Sequence, residues 1–216
     1  MADKIRFVKP DEIEARSMEI IESEMPKGNW SSGQLAVVKR CIHASADFDY
    51  AENLYFSPGA VEEALTLFKS GRPFTVVTDT NMAAAGINRA ALSQLGGTVR
   101  CFMAEPDVAE EARARGMTRA AVSMERAACL DGPVLAAIGN APTALIKLHE
   151  LIASDMFRPA FLVAVPVGFV NVVESKELII GDEIPCIVAR GRKGGSNIAA
   201  AILNALMYQV VFSRRV

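Results

Sequence analysis

After Gly71 the chain alternates between short apolar runs and longer segments of helical character. The runs are Phe74–Thr78, Thr98–Phe102, Val134–Ile138, Phe161–Val165 and Cys186–Ala189. Each has strand length, and each is nearly continuous in its apolar character. A strand of that kind has to be covered on both faces. Asn88–Leu95, Asp107–Arg115, Pro142–Ala153 and Asn197–Val211 read as helices between or after the runs, while Ala120–Arg126 fits either a strand or a helix. Helical crossovers between buried strands give a mainly parallel sheet. The expected architecture is therefore α/β, a doubly wound three-layer α/β/α sandwich on five strands.

The part before Gly71 reads differently. Pro10, Asp11 and Glu12 open a helix through Glu24, with Ile13, Met18, Ile20 and Ile21 as its apolar stripe. A second helix is predicted from Ser31 into Cys41. A third begins near Ser57-Pro58-Gly59 and ends near Ser70-Gly71, with Ser57 as cap and Pro58 at the first helical position. At 216 residues the chain suits one α/β domain over 1–216, with 1–70 mainly helical and 71–216 forming the doubly wound sheet.

Charge and composition exclude several classes of function. The formal net charge of −2 argues against a general nucleic-acid binder. The longest apolar stretch, Ala160–Val170, is broken by Pro166 and Gly168 and is too short for a bilayer. Met1–Pro10 carries Asp3, Lys4, Arg6 and Lys9 and lacks the apolar core of a signal peptide, which predicts a cytoplasmic protein. Cys41, Cys101, Cys129 and Cys186 are scattered without CxxC spacing. They read as reduced thiols, and no metal site is expected.

In a doubly wound sheet, ligands bind at the carboxyl ends of the strands. Three such ends carry suggestive residues. Asp79 closes the first run in Asp79-Thr80-Asn81-Met82 and reads equally as a ligand contact or as a helix cap. Gly139-Asn140-Ala141-Pro142 follows the third run, where open N–H groups would favour an anion. It lacks the GxGxxG pattern, so a nucleotide reading is weak. The strongest feature is Arg190-Gly191-Arg192-Lys193-Gly194-Gly195-Ser196-Asn197, between the last strand and an Ala-rich helix. Its glycines allow close backbone approach to a ligand, and its cations can pair with carboxylate or phosphate. The spacing is not that of GxxxxGK[ST], so no ATPase is implied.

The sequence holds 2 histidines. His149 sits among Leu145, Leu148 and Ile152 and reads as structural. His43 lies in Lys39-Arg40-Cys41-Ile42-His43-Ala44-Ser45-Ala46-Asp47. An imidazole near cations and short polar side chains suits proton transfer at neutral pH. Ser45 and Asp47 are both candidates to orient it.

Taken together, five blocks in one order resemble the precorrin-8X methylmutase (precorrin isomerase) family of corrin biosynthesis. They are Arg40–Asp47, Asp79–Ile87, Ala137–Leu145, Pro166–Val170 with Glu174-Ser175-Lys176, and Gly191–Asn197. The resemblance implies a flavodoxin-like fold, a homodimer and a reaction that needs no added cofactor. It implies migration of a methyl group from C11 to C12 of precorrin-8X, or of its cobalt form, giving hydrogenobyrinic or cobyrinic acid. By the same resemblance His43 is the catalytic residue. Substrate contacts are expected at Ser17, Arg40, Ser45, Asp47, Asp79, Thr80, Met82, Arg192, Lys193, Gly194, Gly195, Ser196 and Asn197.

Such a substrate is a large apolar ring with several carboxylates, so its site needs apolar walls and separated cations. Met82, Ala83, Val167, Phe169 and Val170 are candidate walls. Arg40, Arg192 and Lys193 are candidate cations. A non-catalytic tetrapyrrole carrier would use the same loops without His43. A flavodoxin-like nucleotide binder would place a phosphate at Gly139–Thr143.

Overall fold

A computed structural model describes residues 7–212. Residues 1–6, part of the charged stretch Met1–Pro10, and residues 213–216 lie outside that range.

The central sheet has six strands in the order β1-β6-β5-β4-β2-β3. Five are parallel: β2 (Phe74–Thr78), β3 (Gly97–Arg100), β4 (Val134–Ile138), β5 (Phe161–Ala164) and β6 (Cys186–Ala189). Their order, β3-β2-β4-β5-β6, is that of a flavodoxin-like sheet. The sixth corrects the five-strand expectation. β1 (Leu54–Phe56) comes from the part read as helical and pairs antiparallel with β6, Tyr55 opposite Val188. It covers an edge that would otherwise expose unpaired backbone groups.

The apolar runs are buried on both faces because successive side chains point to opposite sides. In β4, Leu135 and Ala137 join one core while Val134, Ala136 and Ile138 join the other. The first core is completed by α1 (Ile13–Glu24), α2 (Ser32–Ser45), α4 (Ala60–Lys69), α5 (Asn81–Gly86), α6 (Arg89–Gln94) and the long α11 (Ser196–Val211). The second is completed by α7 (Pro106–Ala114), α8 (Arg119–Ala128), α9 (Pro142–Ala153) and α10 (Val172–Ile180). A single turn, α3 (Tyr50–Asn53), leads into β1. The ambiguous run at Ala120–Arg126 is helical and lies inside α8.

Two local expectations change. Helix α2 continues past Cys41 to Ser45, which places His43 in its last turn. A capping box starts it: the Ser31 hydroxyl accepts from the Gln34 N–H, and the Gln34 side chain accepts from the Ser31 N–H. Ser57 does not cap α4. Gly59 precedes that helix at φ 72°, and the Ser57 hydroxyl instead accepts the N–H of Cys186 at 2.8 Å. The edge strands thus draw on a residue that sequence alone assigns to a helix start.

His149 proves structural. Its Nδ1 lies 2.7 Å from Asp182 Oδ1, tying α9 to the turn before β6. Burial pushes the Asp182 carboxyl above its usual value, against the pull of the histidine. The native state therefore holds that proton more tightly than the unfolded chain. This group's contribution to stability falls as pH rises through that interval. Asp182 Oδ2 has no partner among the described residues. Replacing His149 with alanine leaves the whole buried carboxylate unpartnered. The expected loss is about 1–3 kcal/mol, read as a melting temperature lower by roughly 3–10 °C at pH 7. A variant melting like the parent would show that the pair contributes nothing.

Candidate active site

The loops leaving the carboxyl ends of β2, β4, β5 and β6 form one edge of the molecule, and α2 brings its last turn to the same edge. Strand order reverses between β2 and β4, which is where an open α/β sheet offers its crevice.

That crevice is filled from within. Asp79 is wholly buried. Its Oδ1 accepts the Gly139 N–H at 2.9 Å, and its Oδ2 accepts those of Asn140 at 2.7 Å and Ala141 at 2.6 Å. Helix α9 has no side-chain cap of its own, so a carboxylate from the neighbouring strand caps it remotely. Desolvation raises the Asp79 carboxyl, and the three N–H bonds pull it back. Both Asp79 oxygens are thereby engaged, which favours the helix-cap reading of this residue over the ligand-contact one. The N–H groups of Gly139, Asn140 and Ala141, which a phosphate would use, are already bonded to it.

Thr80 sits next to it as the cap of α5, accepting the Ala83 N–H. Its hydroxyl also lies 2.7 Å from that of Ser196 at the start of α11. Thr80 and Ser196 are therefore bonded to each other, pinning the β2 loop to the glycine loop. Gly139 makes that approach feasible, since a Cβ there would come within 2.7 Å of Ser196 Cα.

The Arg190–Asn197 loop is held by its backbone. The Gly195 N–H donates to Val165 O at 2.9 Å, and the Gly168 N–H donates to Arg192 O at 3.2 Å. Gly194 has φ +158°, and a Cβ on it would fall 2.1 Å from Val165 O. Only glycine fits there. From below, the ammonium of Lys176 donates to the carbonyls of Gly191 at 2.8 Å and Lys193 at 2.9 Å. Sequence reasoning gave this lysine no separate role.

Two side chains of the loop reach α2 and the residues after it. Lys193 pairs with Asp47 at 2.6 Å and with Asp49 at 2.5 Å. The ammonium holds the Asp47 carboxyl below its usual value, and the two carboxylates push Lys193 upward. Asn197 Nδ2 donates to Ala44 O at 3.4 Å. The last turn of α2 is thereby docked on the glycine loop, with His43 exposed beside it. Its imidazole makes no hydrogen bond among the described residues. Neither proposed orienting group serves it. The Ser45 hydroxyl donates to Cys41 O and accepts from the Asp47 N–H, and Asp47 is engaged by Lys193.

Arg40 lies one helical turn before His43, on the same side of α2. It is bonded to Glu14 of α1 at 2.7 Å and lies 5.5 Å from the Tyr208 ring centre. Ser17 follows Glu14 by one turn and donates to Ile13 O. Arg40 thus lines a groove between α1, α2 and α11 with Glu14, Ala36 and Tyr208, and Ser17 stands on α1 outside that lining.

Of the predicted walls, Met82, Val167, Phe169 and Val170 are exposed at 71%, 47%, 81% and 78%. Ala83 is fully buried and lines nothing. Arg192 is exposed and extends over the Phe169 ring at 5.5 Å. The edge therefore combines apolar side chains, two loop cations and an unengaged histidine. Among the described residues no cluster of three metal-ligating side chains occurs.

A family model described as precorrin-8X methylmutase matches residues 12–209. The chain belongs to the precorrin-8X methylmutase family. It is 40% identical to the cobalt-precorrin-8 methylmutase of Salmonella typhimurium, over 94% of this chain and 96% of that one. It is 39% identical to the precorrin-8X methylmutase of Pseudomonas aeruginosa, over 77% and 80% of the two chains. The solved precorrin-8x methyl mutase of Thermus thermophilus superposes with a TM-score of 0.83 at 38% identity, covering 94% of this chain and 98% of that one. The enzyme is accordingly a methylmutase, an isomerase of cobalamin biosynthesis, and the expected α/β sandwich stands with one added strand.

Proposed function

We propose that this methylmutase moves a methyl group from C11 to C12 of the precorrin-8 macrocycle, with His43 as the proton donor. The carrying observation is His43 itself, an exposed and unengaged imidazole docked beside a glycine loop that bears Arg192 and Lys193. The bond from C11 to the methyl carbon breaks and the bond to C12 forms, so the atoms of the substrate are conserved. As imidazolium, His43 lends a proton or hydrogen bond to a ring nitrogen near the migrating carbon, biasing the conjugated system towards the shift. The proton returns to His43 as the product forms. The rearrangement is intramolecular and needs no added cofactor; any cobalt belongs to the substrate.

The exposed Met82, Phe169 and Val170 supply apolar surface for a flat ring, and Arg192 supplies charge for its carboxylates. Exposed apolar side chains at this edge also suit contact with a second copy of the chain, so a homodimer with the macrocycle near the shared surface is the proposed assembly. No helix of the described residues is long and apolar enough to cross a membrane, in keeping with the proposed cytoplasmic location.

The test is a visible-spectrum assay with precorrin-8X and, separately, its cobalt form. Conversion of either to the corrin chromophore is expected, and the faster of the two names the natural substrate. Tight binding with no conversion of either form would replace the methylmutase reading with that of a carrier.

A further inference from the structure

Helix α10 carries an anomaly. Its buried positions are Val172, Ser175, Lys176 and Ile179, the spacing of a helix face turned to the core. Lys176 lies on that face with no measurable exposure. A buried ammonium is costly unless something compensates it. Here the partners are two backbone carbonyls, those of Gly191 and Lys193. Among the described residues no carboxylate lies within ion-pairing distance of it, since nearby Glu177 pairs with Arg190 and Asp47 and Asp49 pair with Lys193. A charge retained at such cost in front of a site loop calls for a role at the site.

We propose that Lys176 is a positioning residue for the reaction: its ammonium clamps the glycine loop from beneath, sets Arg192 for the substrate carboxylates and holds Lys193 where it meets Asp47 and Asp49. The inference rests on the reading of this edge as the macrocycle site. The geometry makes the clamp specific. The two carbonyls belong to the Gly191–Arg192 and Lys193–Gly194 peptides, so fixing both brackets the Arg192–Lys193 pair. Lys193 then holds Asp47 and Asp49, carrying the clamp to the chain beyond the last turn of α2 and so towards His43. The backbone itself is soft there, with Gly191 at φ +75° and Gly194 and Gly195 also at positive φ. A run of that kind has little intrinsic preference for one shape.

The clamp titrates. Burial lowers Lys176 to about 8. Above that pH its hydrogen bonds lose charge assistance, and a positive charge behind the carboxylate site disappears. The charged side chains on α10 and the loops beside it are Glu174, Glu177, Arg190, Arg192, Lys193, Asp47 and Asp49. Lys193 is pushed up by its two carboxylates, and Asp47 is held down by Lys193.

The test compares wild type with Lys176→Met, which keeps the volume and removes the charge. Charge-assisted bonds of this kind convert to about 5–20-fold in KM, with kcat at saturation kept within roughly threefold because His43 is untouched. Wild-type KM is expected to rise between pH 7.5 and 9.5, and the variant's KM to stay high and flat. A second readout needs no substrate: trypsin should cut after Arg192 or Lys193 faster in the variant, and faster in wild type above pH 8 than the protease's own pH profile explains. Unchanged KM together with unchanged loop cleavage overturns the proposal. So does a loss confined to kcat or melting temperature with the wild-type pH profile intact. If Lys176→Met does not fold, the wild-type pH series in both readouts decides alone. If wild type converts neither macrocycle, the methylmutase reading fails, and the trypsin comparison still decides whether Lys176 clamps the loop.

Discussion

Replacing His43 with alanine is expected to lower kcat by about 10²–10⁴-fold, the usual contribution of a positioned general acid. Binding of the corrin product should remain within a few-fold. The substitution is structurally mild. Helix α2 is anchored by Val37, Val38, Cys41 and Ile42, none of which touches solvent appreciably. His43 faces outward, and alanine favours the helix. The docking of α2 on the glycine loop uses Ala44 O, Asp47 and Asp49 rather than the imidazole. Loss of turnover would therefore report lost chemistry rather than lost fold. The measurement is the visible-spectrum assay under saturating substrate, with circular dichroism and product titration as controls. A variant turning over near the wild-type rate would remove His43 from the mechanism. The substrate would then have to be activated by the loop cations alone.

The parts of the fold legible in the sequence are those with a local physical signature. Phe74–Thr78, Val134–Ile138 and Cys186–Ala189 match their strands end to end, because a strand buried on both faces must be apolar throughout. Pro142–Ala153 matches as well, opened by a proline at the first helical position. Strand β1 escaped because three residues at an edge, Leu54–Phe56, carry no periodicity. Helix α10 escaped because Ser175 and Lys176 interrupt its apolar stripe. That interruption is itself the signal of a buried charge, readable only once the helix is known.

The site divides in the same way. Glycines and cations in Gly191–Asn197 announce a ligand loop by composition. What organises it is long-range. Asp79 caps a helix 60 residues on, and Lys193 meets Asp49 across 144 residues. A carboxylate at a strand end looks the same in sequence whether it faces a ligand or a helix terminus. Here the fold decides between them, and it turns Asp79 inward.

That inward turn carries the second large prediction. Asp79→Ala is expected to cost about 3–5 kcal/mol, since three N–H groups at the start of α9 lose their acceptor in a buried setting. In a chain of this length the melting temperature should fall by roughly 6–20 °C. The gap left behind has the shape of a carboxylate group and is lined by the N–H groups of Gly139, Asn140 and Ala141. Formate at about 0.1 M should therefore restore part of the loss in Asp79→Ala while leaving wild type unchanged, by mass action on the folded state. Asp79→Asn separates charge from shape. Its amide fills the space, accepts with one oxygen, and sets NH₂ against N–H donors; it should be destabilised without responding to formate. If Asp79→Ala melted like wild type, the carboxylate would not be the cap of α9. If the variant melted low and ignored formate, its cost would lie in repacking rather than in orphaned donors. Wild type, with its crevice already closed by Asp79, should show no thermal shift with nucleotides. With the N–H groups at the start of α9 taken by Asp79, the proposed macrocycle site falls to the outer loops, where His43, Arg192 and the exposed apolar side chains of Met82 and Phe169 stand.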